Sequence, residues 1–335
     1  MAEIGSGSWP TLMDFAQRSD DDGKIADVVE ILNETNEILD DMPFVEGNLP
    51  TGHKTTIRSG LPTPTWRKLN YGVQPDKGQT VQVTDTTGML EAYAEVDKAL
   101  ADLNGNAPAW RLSEERGFIE GMAQEMAATT FYGDTDTDPE KFMGLTPRFN
   151  DLSADTGANV IDAKGSGSGS DNASIWLIGF SERTVHGIFP KGSNAGIQMQ
   201  DKGQVTIEDV DGNGGRMEAY RSHYRWDSGL TVRDWRYIVR IANIDISELN
   251  ADISSNSADL FDLMAQALER IYSLQGVRPV FYCNRTIRSM LRRQAMNQTN
   301  VRYGMEQVGG RMVSYVDEVP VRRVDQLLNT EATVS

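Results

Sequence analysis

The sequence predicts a mixed α+β fold from three patterns. One strong helix is predicted for residues 113–132, because Ser113 can cap its start and Gly133 can stop its end. After residue 171, alternating apolar and polar residues predict strands, with two further helix-spaced segments among them. Before the long helix, segment 48–86 is predicted to be extended, with β-strand character and with turns at its prolines and glycines. Helices and strands in this mixture indicate an α+β architecture.

The composition indicates a folded protein of one elaborated domain or two smaller ones. The chain has 335 residues, of which 39% are hydrophobic, enough for a sizeable core. No apolar run approaches the roughly 18 residues of a membrane span and the start lacks a secretory signal, so we expect a soluble protein with no membrane partner. The single cysteine, Cys283, excludes an internal disulfide, and its apolar neighbours predict a buried thiol.

Charge is unevenly distributed along the chain. Acidic residues outnumber basic ones 49 to 32, and the net charge of -17 argues against nucleic acid as a specific ligand. The acidic segment, residues 20–41, carries nine carboxylates and one lysine. Apolar residues at helical spacing predict an amphipathic helix over 24–40, which we expect to contact basic surface on a neighbouring chain. Its candidate contact residues are Asp27, Glu30 and Glu34.

Segment 48–86 cannot bury itself, so we expect it to lie on a neighbouring chain. Turns interrupt it, and only short stretches alternate in the manner of a strand. Residues 47–75 contain basic residues but no acidic residue, so this segment is positively charged in a chain whose net charge is negative. The local positive charge predicts docking on an acidic partner. The candidate contact residues are Lys54, Arg58, Trp66, Arg67 and Lys68.

The remaining elements are predicted from periodicity and end signals. Glu114 and Glu115 are interpreted as residues at the positive end of the long helix. Its apolar stripe is predicted to consist of Leu112, Ile119, Met122, Met126 and Phe131. A flexible loop over 165–171 is predicted to divide two subdomains. The other predictions are helices at 93–103, 256–274 and 285–295, the last capped by Asn284, a pair of strands at 175–180 and 184–189, and further strands at 204–210, 217–226, 231–241, 280–283, 310–316 and 319–324.

No motif in the sequence predicts catalysis, a cofactor or a metal site. The segment 209–214 has the opening pattern of a calcium loop, but Tyr220 stands where the twelfth ligand must be a carboxylate. A tight hairpin turn is therefore predicted there. The glycine runs lack the lysine and hydroxyl residue of a phosphate loop, and the three histidines are scattered.

A helix rich in arginine is predicted near the end of the chain. Arg285, Arg288 and Arg292 recur at helical spacing and form one basic face, called the arginine face below. Three interpretations remain open: a solvated face, packing against acidic surface of another subunit, or weak contact with a nucleic-acid polyanion.

Several long strings resemble the major capsid proteins of tailed bacteriophages, in the short-tailed branch. They are 117–134 (GFIEGMAQEMAATTFYGD), 141–150 (KFMGLTPRFN), 174–203, 224–245 and 317–331. The resemblance implies the Johnson fold, with an N-terminal arm, an extended loop, a peripheral domain containing a long spine helix, and an axial domain. The predicted long strands at 217–243 precede two helices, whereas the family's common form has such strands near the C-terminus, so a rearranged strand order is expected.

The resemblance also implies a division of the chain into domains. The arm with its amphipathic helix takes 1–45, the extended loop 46–86, the peripheral domain with its spine helix 87–150, the β-rich part of the axial domain 151–216, long strands of the peripheral domain 217–246, and the axial helices and closing strands 247–335.

The implied function is structural, not enzymatic. A major capsid protein self-assembles into hexamers and pentamers of an icosahedral shell enclosing double-stranded DNA, in the virion after assembly in the host cytoplasm. Expected partners are other copies of the chain, a scaffolding protein, a portal protein, a cement or decoration protein, and packaged DNA by weak non-specific contact. Because no long helical segment precedes the arm, the scaffolding protein is expected to be separate. Two alternatives are another virion component, such as a tail tube or decoration protein, and a carbohydrate-active module.

Overall fold

A computed structural model describes residues 34–103, 107–163, 171–208, 214–250, 252, 257–297, 303–308 and 311–335. The helices are α1 (Ile38–Asp41), α2 (Lys98–Ala101), α3 (Ala107–Tyr132), α4 (Leu260–Arg270) and α5 (Arg285–Asn297). The strands are β1 (Phe44–Glu46), β2 (Gly52–Gly60), β3 (Gln79–Asp97), β4 (Val160–Asp162), β5 (Asn172–Phe180), β6 (Val185–Phe189), β7 (Gln198–Glu208), β8 (Arg216–Val232), β9 (Ile238–Asp245), β10 (Arg278–Cys283), β11 (Tyr303–Val308), β12 (Arg311–Val316) and β13 (Val319–Arg323).

The described strands join in one mixed sheet, which confirms the predicted α+β architecture. Its main path runs β11-β12-β13-β10-β5-β6-β8-β3-β2, with β1, β4, β7 and β9 pairing at its sides. The pairing of β10 with β13 is parallel and that of β10 with β5 antiparallel, so the sheet contains both kinds of pairing. The strand order is therefore mixed. In the described part of the chain, no helix is both long and apolar enough to span a bilayer.

Helices cover the sheet on both faces. Strand β5 is buried along its whole length, and its alternate residues enter two different cores. Trp176 and Ile178 join the core that contains Met126 of α3. Ile175 and Leu177 join the core formed with α4 and α5. Because successive side chains of a strand point to opposite faces, α3 lies on one face of the sheet and α4 and α5 lie on the other.

A long antiparallel hairpin projects from the sheet. Strand β3 has 19 residues; its second half pairs with β8, and its first half pairs only with β2. Between the two hairpin strands lies the tip, residues 61–78, in which every residue is exposed. The extended, turn-broken segment predicted from the sequence is thus an extended hairpin with an irregular tip.

The prediction of a helix over 93–103 is wrong for residues 93–97, and the helix that forms is only Lys98–Ala101. Strand β3 continues to Asp97, because Tyr93 pairs with His223 and Val96 pairs with Tyr220 across the β3–β8 ladder. Only the four residues of α2 follow, and the Asp97 carboxylate caps them by accepting the Ala99 N–H at 2.8 Å. Pairing with a distant strand overrides the helical spacing of the local sequence.

Helix α3 begins six residues before the predicted start, so Ser113 is not its cap. Trp110, in its first turn, is buried with Val96 of β3, which extends the helix towards the sheet. Glu115 is not a free first-turn acid either, since it is buried and accepts the Ser222 hydroxyl of β8 at 2.5 Å. The predicted end is confirmed, because the helix stops at Tyr132 before Gly133.

The predicted apolar stripe of α3 is only partly buried. Met122, Met126 and Phe131 enter the core, but Leu112 and Ile119 are 54% and 42% exposed. The helix contacts the sheet along its second half and at Trp110, so apolar residues between these contacts stay at the surface.

Three further predictions need correction. Residues 231–241 are not one strand, since the Asp234 side chain accepts the Arg236 N–H and starts a single 3-10 turn between β8 and β9. The helix predicted at 256–274 is shorter, because Asp259 caps it at Leu260 and Ile271 is already extended. The strands at 175–180 and 184–189 are neighbours through one residue pair only.

The strongest local signals are confirmed. Strands β10, β12 and β13 form at the predicted segments, and β7 pairs with β8 as expected. Strand β7 begins at Gln198, before the predicted 204, and β8 continues to Val232, beyond the predicted 226. Asn284 caps α5, its side-chain oxygen accepting the Ile287 N–H at 2.9 Å. Residues 165–170 of the predicted flexible loop, the turn at 209–213 and most of the predicted 24–40 helix lie outside the described residues.

Candidate assembly site

The tip of the hairpin exposes large apolar side chains together with positive charge. Trp66 is fully exposed, and Leu61, Leu69 and Tyr71 are at least 73% exposed. The adjacent Arg67 and Lys68 are also exposed. A single exposed apolar side chain is ordinary, but a cluster on a projecting segment marks an interaction site.

Two polar contacts organise the tip without giving it a core. The Asp76 carboxylate accepts the Thr63 N–H at 2.6 Å and the Lys77 N–H at 2.7 Å. These hydrogen bonds lower the pKa of Asp76, because they stabilise its charged form. The two sides of the tip are therefore linked through one carboxylate, while its aromatic residues face solvent.

The structure places Lys54 and Arg58 on the same face of β2. They are four residues apart on a strand, both exposed, and they pair across the hairpin with Thr84 and Thr80. The Asn48 side chain fixes the start of this strand, donating to the Lys54 carbonyl and accepting its N–H. The basic candidates thus form two groups, one on β2 and one at the tip.

Only the end of the acidic segment is described, and there it contacts its own chain. Asp27 and Glu30 lie outside the described residues. The main-chain N–H of Glu34 donates to Glu120 of α3 at 3.0 Å, and its carboxylate accepts from Gln326 at 2.5 Å. The predicted contact of residues 20–33 with a neighbouring chain stays a prediction.

Asp41 anchors the acidic segment to the arginine-bearing end of the same chain. Its buried carboxylate accepts the Tyr282 hydroxyl at 2.8 Å and forms ion pairs with Arg322 at 3.2 Å and Arg278 at 3.3 Å. Burial raises the pKa of Asp41, and the tyrosine and the two arginines oppose that shift. The basic partners of Asp41 therefore belong to its own chain, whereas the prediction for the acidic segment was basic surface on a neighbouring chain.

The arginine face of α5 is open in part. Arg285 and Arg292 are exposed, whereas Arg288 is half-buried. Helix α5 turns Ile287 and Leu291 into the core, so its arginines lie on the opposite side. The exposed guanidinium groups leave all three sequence interpretations of this face open.

A groove of about 490 Å³ runs between α3 and β3. Leu90, Ala92, Phe118 and Met122 give it an apolar floor, and Glu114 and Glu125 of α3 also line it. Gly117 and Gly121, four residues apart on α3, leave two positions on the helix side of the groove without a side chain. We call this feature the helix–strand groove.

The family comparison decides what kind of protein presents these surfaces. The model of the family described as major capsid protein GP7 matches residues 20–335. The chain belongs to this family. This major capsid protein is therefore a structural component of the capsid of a phage virion, as the resemblance of its sequence implied.

Structural comparison supports the same assignment. A chain of the near-atomic structure of bacteriophage epsilon15 is 43% identical to the major capsid protein, with a TM-score of 0.79 and 100% of both chains covered. The predicted Johnson-type capsid fold is confirmed. The bacteriophage JBD30 capsid is a remote likeness, 10% identical with a TM-score of 0.45, covering 88% of this chain and 92% of that one. Among curated proteins, none matches the major capsid protein.

Sequence reasoning missed the helix–strand groove and the buried contacts that hold the sheet. Gly117 and Gly121 are visible in the sequence, but their exposure depends on how α3 lies on β3. The ion pair between Arg240 and Glu331 joins residues with no shared motif. Asp41 belonged to the predicted acidic segment, yet its partners within the chain follow only from the fold.

Proposed function

We propose that the major capsid protein assembles into hexamers and pentamers of an icosahedral shell around double-stranded DNA, and that its extended loop binds each subunit to a neighbour. The observation that carries this proposal is the exposed tip at residues 61–78. A free subunit exposes its Trp66 and Leu69 side chains there to water, and burial against another subunit removes that cost.

In this proposal, burial of apolar side chains provides most of the binding affinity, and charged side chains set the orientation of the loop on its neighbour. An aromatic side chain buries about 150–250 Å² at an interface, whereas an exposed ion pair contributes about 1 kcal/mol or less. Arg67 and Lys68 therefore orient the tip on acidic surface more than they hold it there. Total interfaces above about 2,000 Å² per pair of subunits are expected for an obligate assembly.

The net charge of -17 fits a container for DNA. Like charges repel at short range, so packaged DNA stays off most of the wall. We propose that DNA makes only weak, non-specific contacts and that the arginine face meets either acidic surface of another subunit or such a polyanion. Asp27, Glu30 and Glu34 are proposed to contribute to contacts between subunits, as are Lys54 and Arg58.

The remaining partners are proposals that follow from the family. A separate scaffolding protein, a portal protein and a cement or decoration protein are expected at the shell, with assembly in the host cytoplasm. The chain acts by assembly and not by turnover. The domain borders given above also remain proposals.

Reversing the charge of the tip tests this function. We expect Arg67→Glu combined with Lys68→Glu to prevent closed particles while the subunit stays folded, because both residues are exposed and pack on no core. Electron microscopy counts the particles, and circular dichroism checks the fold. The matched control, Arg67→Lys with Lys68→Arg, keeps both charges and should assemble. Normal shells from the reversed variant would refute the role of the loop, and rings or trimers in place of shells would favour a tail tube or decoration protein.

A further inference from the structure

We propose that two arginines clamp the base of the extended hairpin and set its direction, and that one half of this clamp closes only while His53 is neutral. Arg233 binds His53 of β2, and Arg148 binds Asp85 of β3. The clamp is a property of the single subunit and goes beyond the proposed function. Only its consequence for assembly rests on that function.

The clamp lies where the hairpin leaves the sheet. Strand β3 pairs with β8 from Thr87 onwards, and before that residue it pairs only with β2. His53 and Asp85 stand directly opposite each other at the second residue pair of the projecting part. Their side chains therefore share one face of the hairpin, and both are buried, with 7% and 5% exposure. Contacts made at this pair fix the direction of everything beyond it.

The two arginines come from distant parts of the subunit. Arg233 follows the end of β8, and its Nη2 lies 2.7 Å from Nε2 of His53. Arg148, in a 3-10 turn beyond the end of α3, donates from Nη2 to Oδ1 of Asp85 at 2.8 Å. The Gly144 carbonyl accepts from Nε of Arg148 at 3.1 Å, so this guanidinium group is positioned independently of the hairpin. Each strand of the hairpin is thus held by a different part of the subunit.

The contact between His53 and Arg233 depends on protonation. An arginine side chain only donates, so His53 can bind Arg233 only through an unprotonated Nε2. The other ring nitrogen, Nδ1, faces a second donor, the main-chain N–H of Asn48, at 3.3 Å. The neutral imidazole can accept from one of these donors, and the protonated imidazole can accept from neither. Acid therefore removes this half of the clamp and places two positive charges side by side.

The surroundings of His53 favour its neutral form. Burial and Arg233 lower the pKa of His53, and Asp85 opposes that shift. The ring of His186 on β6 lies 6.1 Å away, and burial keeps it neutral as well, with a pKa of about 4. Arg148 is the remaining charged group, on the far side of Asp85. An open clamp lets His53 bind a proton near pH 6.5, so the closed form loses its advantage as pH falls below about 6.5.

The hairpin base has room to move once it is released. A cleft of about 630 Å³ adjoins Asp85 and Arg148, with Thr84 and Thr86 of β3 in its lining. No residue of β2 belongs to the apolar cores of the described chain, so no hydrophobic packing fixes this strand. Directional polar contacts hold the base instead, and loss of one of them changes the direction of the hairpin.

Distances between spin labels in the free subunit test the clamp. Labels at Thr80→Cys, on the projecting part of β3, and Gln266→Cys, on α4, occupy exposed positions, and the native Cys283 is buried. We expect double electron–electron resonance to give a narrow distance distribution at pH 8 and a broad or shifted one at pH 5.5. Arg233→Met should give the broad distribution at both pH values. Circular dichroism confirms that the subunit stays folded at each pH.

The matched control is His53→Gln. Its amide oxygen can accept from Arg233 at either pH and does not titrate, so the distribution should stay narrow at pH 5.5. A merely structural role of His53 predicts no such loss of the pH response. The response should persist in His186→Phe. A distribution that is the same at pH 8 and 5.5 in the parent chain, or a response that survives His53→Gln, would overturn the clamp, and so would its loss in His186→Phe alone.

Particle yield separates this inference from the proposed function. At pH 5.5 we expect fewer closed particles from the parent chain than from His53→Gln, because a released hairpin points away from its neighbour. Equal yields from the two chains, with a hairpin that moves, would refute the link between the clamp and assembly. Normal shells after charge reversal at Arg67 and Lys68 would refute the proposed function instead, and the distances in the free subunit would still decide whether the clamp exists.

Discussion

Removing the Glu331 carboxylate should destabilise the subunit more than any surface change. Its Oε2 lies 2.8 Å from Nη2 of Arg240, and the two side chains are 4% and 2% exposed. Arg240 also donates to the Phe149 carbonyl at 2.8 Å and to the Ser174 hydroxyl at 3.1 Å. Tyr132 donates to the other carboxylate oxygen at 2.5 Å. Glu331→Ala leaves a charged guanidinium group buried with its ion pair missing.

The expected loss follows from that uncompensated charge. Breaking a buried ion pair by removal of one partner costs about 3–5 kcal/mol, because the remaining charge keeps its desolvation penalty. The cost should be near the upper end, since the hydroxyl groups of Tyr132 and Ser174 also lose the carboxylate oxygens that accept their hydrogen bonds. Burial raises the pKa of Tyr132, so its hydroxyl stays protonated as a donor.

Urea unfolding of the free subunit measures this loss. The control is Glu208→Ala, which removes an ion pair with Arg216 of similar length, 3.1 Å, but with side chains 70% and 67% exposed. That change should cost less than about 1 kcal/mol. The double variant Arg240→Met with Glu331→Leu should recover much of the stability, because it removes both charges. A loss below about 1 kcal/mol for Glu331→Ala would refute the reasoning, since the pair would then be worth no more than a surface pair.

Two further predictions concern buried titratable groups. His186 is fully buried, and burial, with Arg233 and His53 nearby, lowers its pKa to about 4. In the unfolded chain the His186 imidazole binds a proton near pH 6.5, whereas in the folded chain it stays neutral until about pH 4. The free energy of unfolding should therefore fall by about 3 kcal/mol as the pH drops from about 6.5 to 4. Urea titrations should show a weaker pH dependence for His186→Phe. Burial raises the pKa of the Cys283 thiol to about 12, so a thiol reagent at pH 8 should react with it only in denaturant; rapid labelling of the native subunit would contradict this.

The sequence predicts those parts of the fold that depend on neighbours along the chain. The end of α3 at Gly133 and the cap of α5 at Asn284 follow from side chains within one helical turn of the feature they determine. Strand β10 follows from a run of apolar residues that is buried between β5 and β13. The exposed tip also follows from the sequence, because prolines and the absence of an apolar stripe prevent it from forming a core.

Elements stabilised by distant pairing could not be predicted in the same way. Residues 93–97 have helical spacing but form a strand, because β8 supplies hydrogen bonds from the other half of the sequence. Trp110 extends α3 for a similar reason, through burial against β3 and α2. The partners of Asp41 depend on the same kind of knowledge, because Arg278 and Arg322 lie on β10 and β13, which the fold places side by side.

The tip is energetically unfavourable in a single subunit, and so is the helix surface at Gly117 and Gly121. Trp66 is exposed to water without a partner in the described chain, and Gly117 and Gly121 weaken the longest described helix without packing on anything within it. In contrast, the Arg240–Glu331 pair is costly to bury but satisfied within the subunit. A feature whose cost is offset inside the chain stabilises the fold. A feature whose cost is not offset there, such as the exposed Trp66, is expected to affect particle yield when it is changed. The buried Arg240–Glu331 pair is instead expected to affect the stability of the subunit.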